Sequence, residues 1–221
     1  MATGNREIYA SSANHEARAI KIYPEIPLTT EWQRQANSFI ELGFHTELNL
    51  TKKEYFKSLP KFEAQPEEYR GRLDIPVIVE TRIPLERMFI LLDIYDHFSR
   101  ADSVKNWEKD EFETPKTPYT TWLKKLNDYL DVSANAVRKT LKPDERGGNF
   151  LDGIAFYLSN PYYKDHYFYL GLPGSQDDSG HNLVPCLSRI FKDIEIEKIY
   201  DDMPNDVKNW IVAGRRINTK V

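Results

Sequence analysis

Paired cysteines are missing from this chain: the 221 residues contain a single one, Cys186, so no internal disulfide can form. A core that folds without such staples fits a reducing compartment, and a cytoplasmic location is expected. Residues 1–10 contain no apolar segment of the secretory type, which gives the same expectation. Long hydrophobic runs are missing too. The longest, Met88–Leu92, falls far short of the roughly 20 apolar residues that a membrane-spanning helix needs, so no membrane role is expected. There is no basic excess: 30 Lys and Arg face 34 Asp and Glu, for a net charge of −4. A protein that grips phosphate backbones usually carries the opposite balance, which disfavours nucleic acid as a partner. Internal repeats and low-complexity tracts are absent, so solenoids and arrays are set aside.

What is present is a well-charged, aromatic-rich chain with 13 Tyr, 11 Phe and 4 Trp, long enough for one substantial core. Residues 1–28 read as a flexible lead and an extended arm held open by Pro24 and Pro27. Residues 29–221 read as a single α+β domain, with a subdomain break near 143–149 marked by Gly147–Gly148.

Helical grammar dominates the first two thirds. Thr30 and Gln33 have capping-box spacing, and Trp32, Ala36, Phe39 and Ile40 share one face up to Gly43. Thr51 and Glu54 repeat the capping box for a helix that Pro60 closes. Arg70 and Arg72 flank Gly71 and suit an anion, or simply a wet surface. The β-branched run Ile75–Glu80 reads as a strand covered on both faces, with Pro76 at its start or on an edge. Leu85–Ile94 follows as a short helix. The acidic stretch after it, with Asp93, Asp96 and His97, matches no metal-ligand spacing. Tyr119, Trp122, Leu123, Leu126 and Leu130 fall at helical spacing after Pro118, and a second helix opens at Ser133. Phe150–Leu158 is apolar nearly all round, which marks a central helix.

Strand grammar takes over from there. Tyr162–Leu170 alternates with period two, Val184–Phe191 and Ile194–Tyr200 resemble a hairpin, and Trp210–Ala213 is a last strand. The expected architecture is therefore α+β, with a mostly helical N-terminal portion packed on a C-terminal antiparallel sheet.

Between the strands lies the chemically richest stretch, Leu170–Ile190, with three of the ten glycines and the lone cysteine. Gly171-Leu-Pro-Gly-Ser175 is a tight corner whose amides suit an anion nest or a plain turn; it is neither a P-loop nor a nucleophile elbow. Cys186 with His181 or His166 has the makings of a Cys–His catalytic pair, which would make the protein a hydrolase or transferase. Packing outweighs catalysis here, because Cys186 stands between Pro185 and Leu187 in an apolar run with no family signature around it. Asp177, Asp178 and His181 sit close enough to hold a hard cation, but a solvated loop is the commoner outcome and no metal is assigned. Tyr162, Tyr163, Tyr167, Tyr169 and Trp210 are suited to line a groove, with Arg189 or Arg216 as polar anchor. The leading expectation is a protein that binds a small molecule or a protein partner at the 170–186 loop, through Gly174, Ser175, Asp177, Asp178, Arg189, Tyr167 and Tyr169. An oligomer built on the hairpin edge after Val184 is the third reading. No cofactor follows from the residues.

Overall fold

The computed structural model describes residues 26–96, 115–126, 132–160, 168–175, 183–189, 194–200 and 209–217. Its helices are α1 (Leu28–Glu41), α2 (Phe44–Glu47), α3 (Lys52–Ser58), α4 (Leu85–Leu92), α5 (Ala134–Thr140) and α6 (Phe150–Ser159), with a 3₁₀ turn at Glu67–Tyr69. Its strands are β1 (Ile75–Val79), β2 (Ile94–Asp96), β3 (Tyr119–Leu126), β4 (Arg146–Gly147), β5 (Phe168–Gly171), β6 (Leu183–Arg189), β7 (Ile194–Tyr200) and β8 (Asn209–Ala213).

All the strands join one sheet, in the order β1-β3-β8-β5-β6-β7-β2, with β4 also paired to β8. The fold is thus α+β, as the sequence suggests, but the segregation holds only in part. β1, β2 and β3 belong to the sheet although they precede residue 130. The sheet is mixed rather than antiparallel, because β2 pairs with β7 and β5 with β8 in parallel. The glycine break is inside this sheet: β4 ends in Gly147, and Gly148 N donates to Ile211 O at 2.8 Å. The hairpin β6–β7 forms in the expected place, and β2 pairs with the outer edge of β7 at Ile194–Ile196.

The clearest departure is Tyr119–Leu126, which is a strand and not a helix. Residues 119–123 are all buried, so both faces of β3 are covered and the period-two signal vanishes. Apolar residues at 119, 122, 123 and 126 then mimic a helical stripe. The tie is broken by Tyr119-Thr-Thr-Trp122, a run of β-branched and aromatic residues that fits a pleated surface. The start of α1 also differs. Pro27 is its N-cap with no side-chain cap, and Pro27 O accepts from Thr30 N and Glu31 N, so Thr30 lies inside the first turn. The second capping box is present in full: Thr51 Oγ1 accepts from Glu54 N, and the Glu54 carboxylate accepts from Thr51 N.

Alternation along the strands sorts the core into two faces. Tyr119, Leu123, Leu187, Ile211 and Ala213 point into the larger cluster with Trp32, Phe39, Phe89, Phe150 and Ile154 from α1, α4 and α6. Their neighbours of opposite parity, Trp122, Val184, Cys186, Trp210 and Val212, join Tyr69, Leu73 and the α5 residues Ala134 and Val137. Helices cover one face, and α5 with the 3₁₀ segment covers the other.

One end of the sheet needs closing. The free edge of β1 would leave amides and carbonyls buried without partners. Gln35 on α1 supplies the missing strand: its Oε1 accepts from Ile78 N at 2.9 Å and its Nε2 donates to Pro76 O at 2.7 Å. Nε2 also donates to Glu31 Oε1, and Glu31 in turn holds Arg34, which donates to Ser159 O at the end of α6. Replacing Gln35→Leu keeps the volume and strips the edge of both partners. We expect stability to fall by about 1–3 kcal/mol per orphaned group, read as a lower urea midpoint with unchanged slope.

Candidate functional site

The corner after β5 is part of the interior. Leu170 through Ser175 are all buried, and each available amide is already used. Leu172 N donates to Pro185 O, Gly174 N to Gly148 O and Ser175 N to Leu172 O. Pro173 has no N–H, and its carbonyl accepts from Arg138 Nε on α5 at 2.7 Å. At residues 172–175 no main-chain amide is left to form an anion nest. Glycine is needed here for close approach: a Cβ on Gly147 would lie 2.5 Å from Gly174 N, so the two backbones touch.

Ser175 reaches one element further. Its Oγ accepts from Phe150 N at 3.0 Å, satisfying a free amide at the start of α6. The rest of that helix end is built from the chain before it. Asn149 Oδ1 accepts from Asp152 N, and Asp152 Oδ2 accepts from Asn149 N, both at 2.9 Å. Asp152 is fully buried, and its carboxylate also receives both Nη atoms of Arg146 and the Tyr119 hydroxyl, the latter at 3.0 Å. Burial first, then the neighbouring Asp152 charge, raises the Tyr119 phenol above its ordinary range, so it stays protonated and donates. The guanidinium of Arg216 lies over the Tyr119 ring, 5.4 Å from its centre.

No family model, curated protein or solved structure matches this chain.

Of the residues singled out in the sequence, the corner contains Gly174 and Ser175. Cys186 and Tyr169 meet on the opposite, α5-covered face, in the cluster that also holds Trp210. Gly171 lies against the Trp210 ring, where a Cβ would come within 2.5 Å of Cε3. His166, Tyr167, Asp177, Asp178 and His181 lie outside the described residues, as does the side chain of Arg189. Arg70 and Arg72 have found carboxylates of this same chain: Arg70 pairs with Glu67, and Arg72 with Asp144 and Glu145. Among the described residues no group of three or more His, Cys, Asp or Glu is placed to hold a metal ion. No described helix is long and apolar enough to cross a membrane.

Sequence reasoning missed the Tyr119–Arg146–Asp152 cluster. The spacing Asn149-x-x-Asp152 just before an apolar helix was the available signal, since it is a capping-box pattern with Asn and Asp in the two roles.

Cys186 is fully buried, and its thiol contacts Leu187 O. Desolvation pushes the thiol well above its ordinary pKa, whereas a nucleophilic cysteine needs the reverse. Native protein at pH 8 should therefore react with a thiol reagent only as fast as it unfolds, and urea should release full reactivity; rapid labelling of the folded form would restore the catalytic reading. Asp152→Asn leaves Arg146 buried beside a neutral amide, and about 3–5 kcal/mol of stability should be lost. Tyr119→Phe removes one hydrogen bond to a charge and should lose about 1.5–3 kcal/mol, measured by the same urea unfolding.

Proposed function

We propose that the protein is a binding module, for a small molecule or a protein partner, whose site is the segment between Ser175 and Leu183. The observation that supports this is the anchoring of both ends. Ser175 is fixed by α6 and the corner, and Leu183 begins β6, paired to β7 opposite Tyr200. A seven-residue connection set on two rigid supports is the usual place for recognition residues. Its sequence, Gln-Asp-Asp-Ser-Gly-His-Asn, offers carboxylates, a hydroxyl and an imidazole and has no apolar side chain. Such a set suits a cationic or hydrogen-bond-rich ligand better than a hydrophobic one.

The test is thermal unfolding against a panel of divalent cations, polyamines and amino acids. A ligand at about 100 times its Kd contributes about 2.7 kcal/mol, a rise of roughly 5–10 °C in Tm for a chain of this size. The variant Asp177→Asn/Asp178→Asn/His181→Ala should keep the basal Tm and lose the rise. A panel with no shift, or a shift that survives the variant, overturns the assignment.

A further inference from the structure

A second surface, apart from the 175–183 segment, has the chemistry of a docking groove. α1 and α3 flank an open hollow of about 540 Å³ lined by Asn37, Ile40, Glu41, Lys52, Lys53, Phe56 and Lys57. Its floor is apolar: Ile40 and Phe56 are both half-buried. Phe56 meets the Trp32 ring edge-on at 4.5 Å, and Trp32 Nε1 donates to Pro60 O at 2.6 Å. α3 is itself tied to the sheet, since the Tyr55 hydroxyl donates to the buried carboxylate of Glu80 at 2.9 Å. The floor is thus set in place before anything binds, which lowers the entropy that binding must overcome.

The rim is cationic. Lys52, Lys53 and Lys57 are exposed, and none of them has an ion-pair partner among the described residues. The nearest acid on their own helix, Glu54, is taken by the amide and hydroxyl of Thr51. Lys53 and Lys57 stand one turn apart, an arrangement that disfavours an isolated helix. Arg34, Arg70, Arg72, Arg82, Arg87 and Arg146, by contrast, each hold a carboxylate. Three ammoniums against the single carboxylate of Glu41, on a chain of net charge −4, make a local reversal of sign.

We propose that this groove docks an acidic, amphipathic segment of a partner protein. A free anion would use the lysines and leave the apolar floor unfilled. A bilayer or a nucleic acid, being polyanionic, would meet a molecule of net charge −4 overall. An extended or helical segment with carboxylates flanking one or two large apolar side chains satisfies both halves of the groove.

The test uses the full-length protein and a fluorescein-labelled peptide of about twelve residues, alternating Glu and Leu around a central Trp, read by anisotropy. Saturable binding is expected, weakening at least about tenfold in the charge-reversed variant Lys53→Glu/Lys57→Glu. These exposed positions leave the fold intact, which the unchanged Tm of the variant will establish. A companion peptide with Lys in place of Glu should prefer the variant over the wild type. Replacing Leu and Trp by Ser should abolish binding. The proposal is overturned by absence of saturable binding, by indifference to the charge reversal, or by equal affinity for a polyglutamate of the same length. Stronger competition from phosphatidylserine vesicles or single-stranded DNA than from unlabelled peptide overturns it as well.

Discussion

The carboxylate of Asp152 is the junction at which helix, sheet and corner are fixed to one another. It caps its own helix through Asn149, binds Arg146 on β4 and accepts from Tyr119 on β3. A fully buried charge is tolerable only if its lone pairs are filled, and here they are filled from three separate elements. Because α6 is buried along almost its whole length, its N-terminal amides have no access to water. They must find protein partners, and the partners they find decide where β4 and the 171–175 corner can lie. Ser175 completes the set by accepting from Phe150 N. The Gly147–Gly174 contact follows, since only two bare backbones can approach closely enough for the hydroxyl to reach.

The same logic governs the opposite edge of the molecule. β1 is the end of the sheet and is buried on both faces, so its free edge cannot be left to solvent. α1 lies there and presents a side-chain amide, whose oxygen and one of whose two N–H groups take the places a neighbouring strand would fill, the second N–H going to Glu31. Orienting that amide requires Glu31, orienting Glu31 requires Arg34, and Arg34 ends on the last turn of α6. Both polar chains thus converge on the two ends of α6. The central helix is apolar in its middle and polar only at its termini, which is why it can be surrounded on all sides.

Much of this was legible in the sequence where a local signal was strong. The Thr51–Glu54 box, the helix end at Gly43, the mostly apolar α6, the helix start at Ser133, the β6–β7 hairpin and the last strand are local matters of spacing and composition. What escaped was set by distant partners. β3 reads as a helix because burial on both faces erases alternation. The mixed pairing of the sheet depends on which strands meet after the chain has crossed the helices, and no local pattern encodes it. The corner was legible as a turn, but not that its amides would be consumed by residues 148, 172 and 185. Cys186 was legible as a packing residue from its apolar neighbours, and its position opposite Glu197 in the hairpin follows once register is known.

The allocation of cations within the fold gives the surface its meaning. A guanidinium presents a planar fork that matches a carboxylate at two points, whereas an ammonium is a compact, strongly hydrated charge that is better left in water. The chain follows that distinction. Arg34, Arg82 and Arg146 each bind a buried carboxylate, those of Glu31, Glu80 and Asp152, and Arg72 locks Asp144 and Glu145 beside Tyr69. Among the described residues lysine stands mainly at exposed positions, where it contributes little to stability. When three such lysines gather around an apolar floor, stability offers no reason for the arrangement, since the like charges repel and none has an ion-pair partner among the described residues. An arrangement that costs the folded state something is what the proposed docking of an acidic segment would account for.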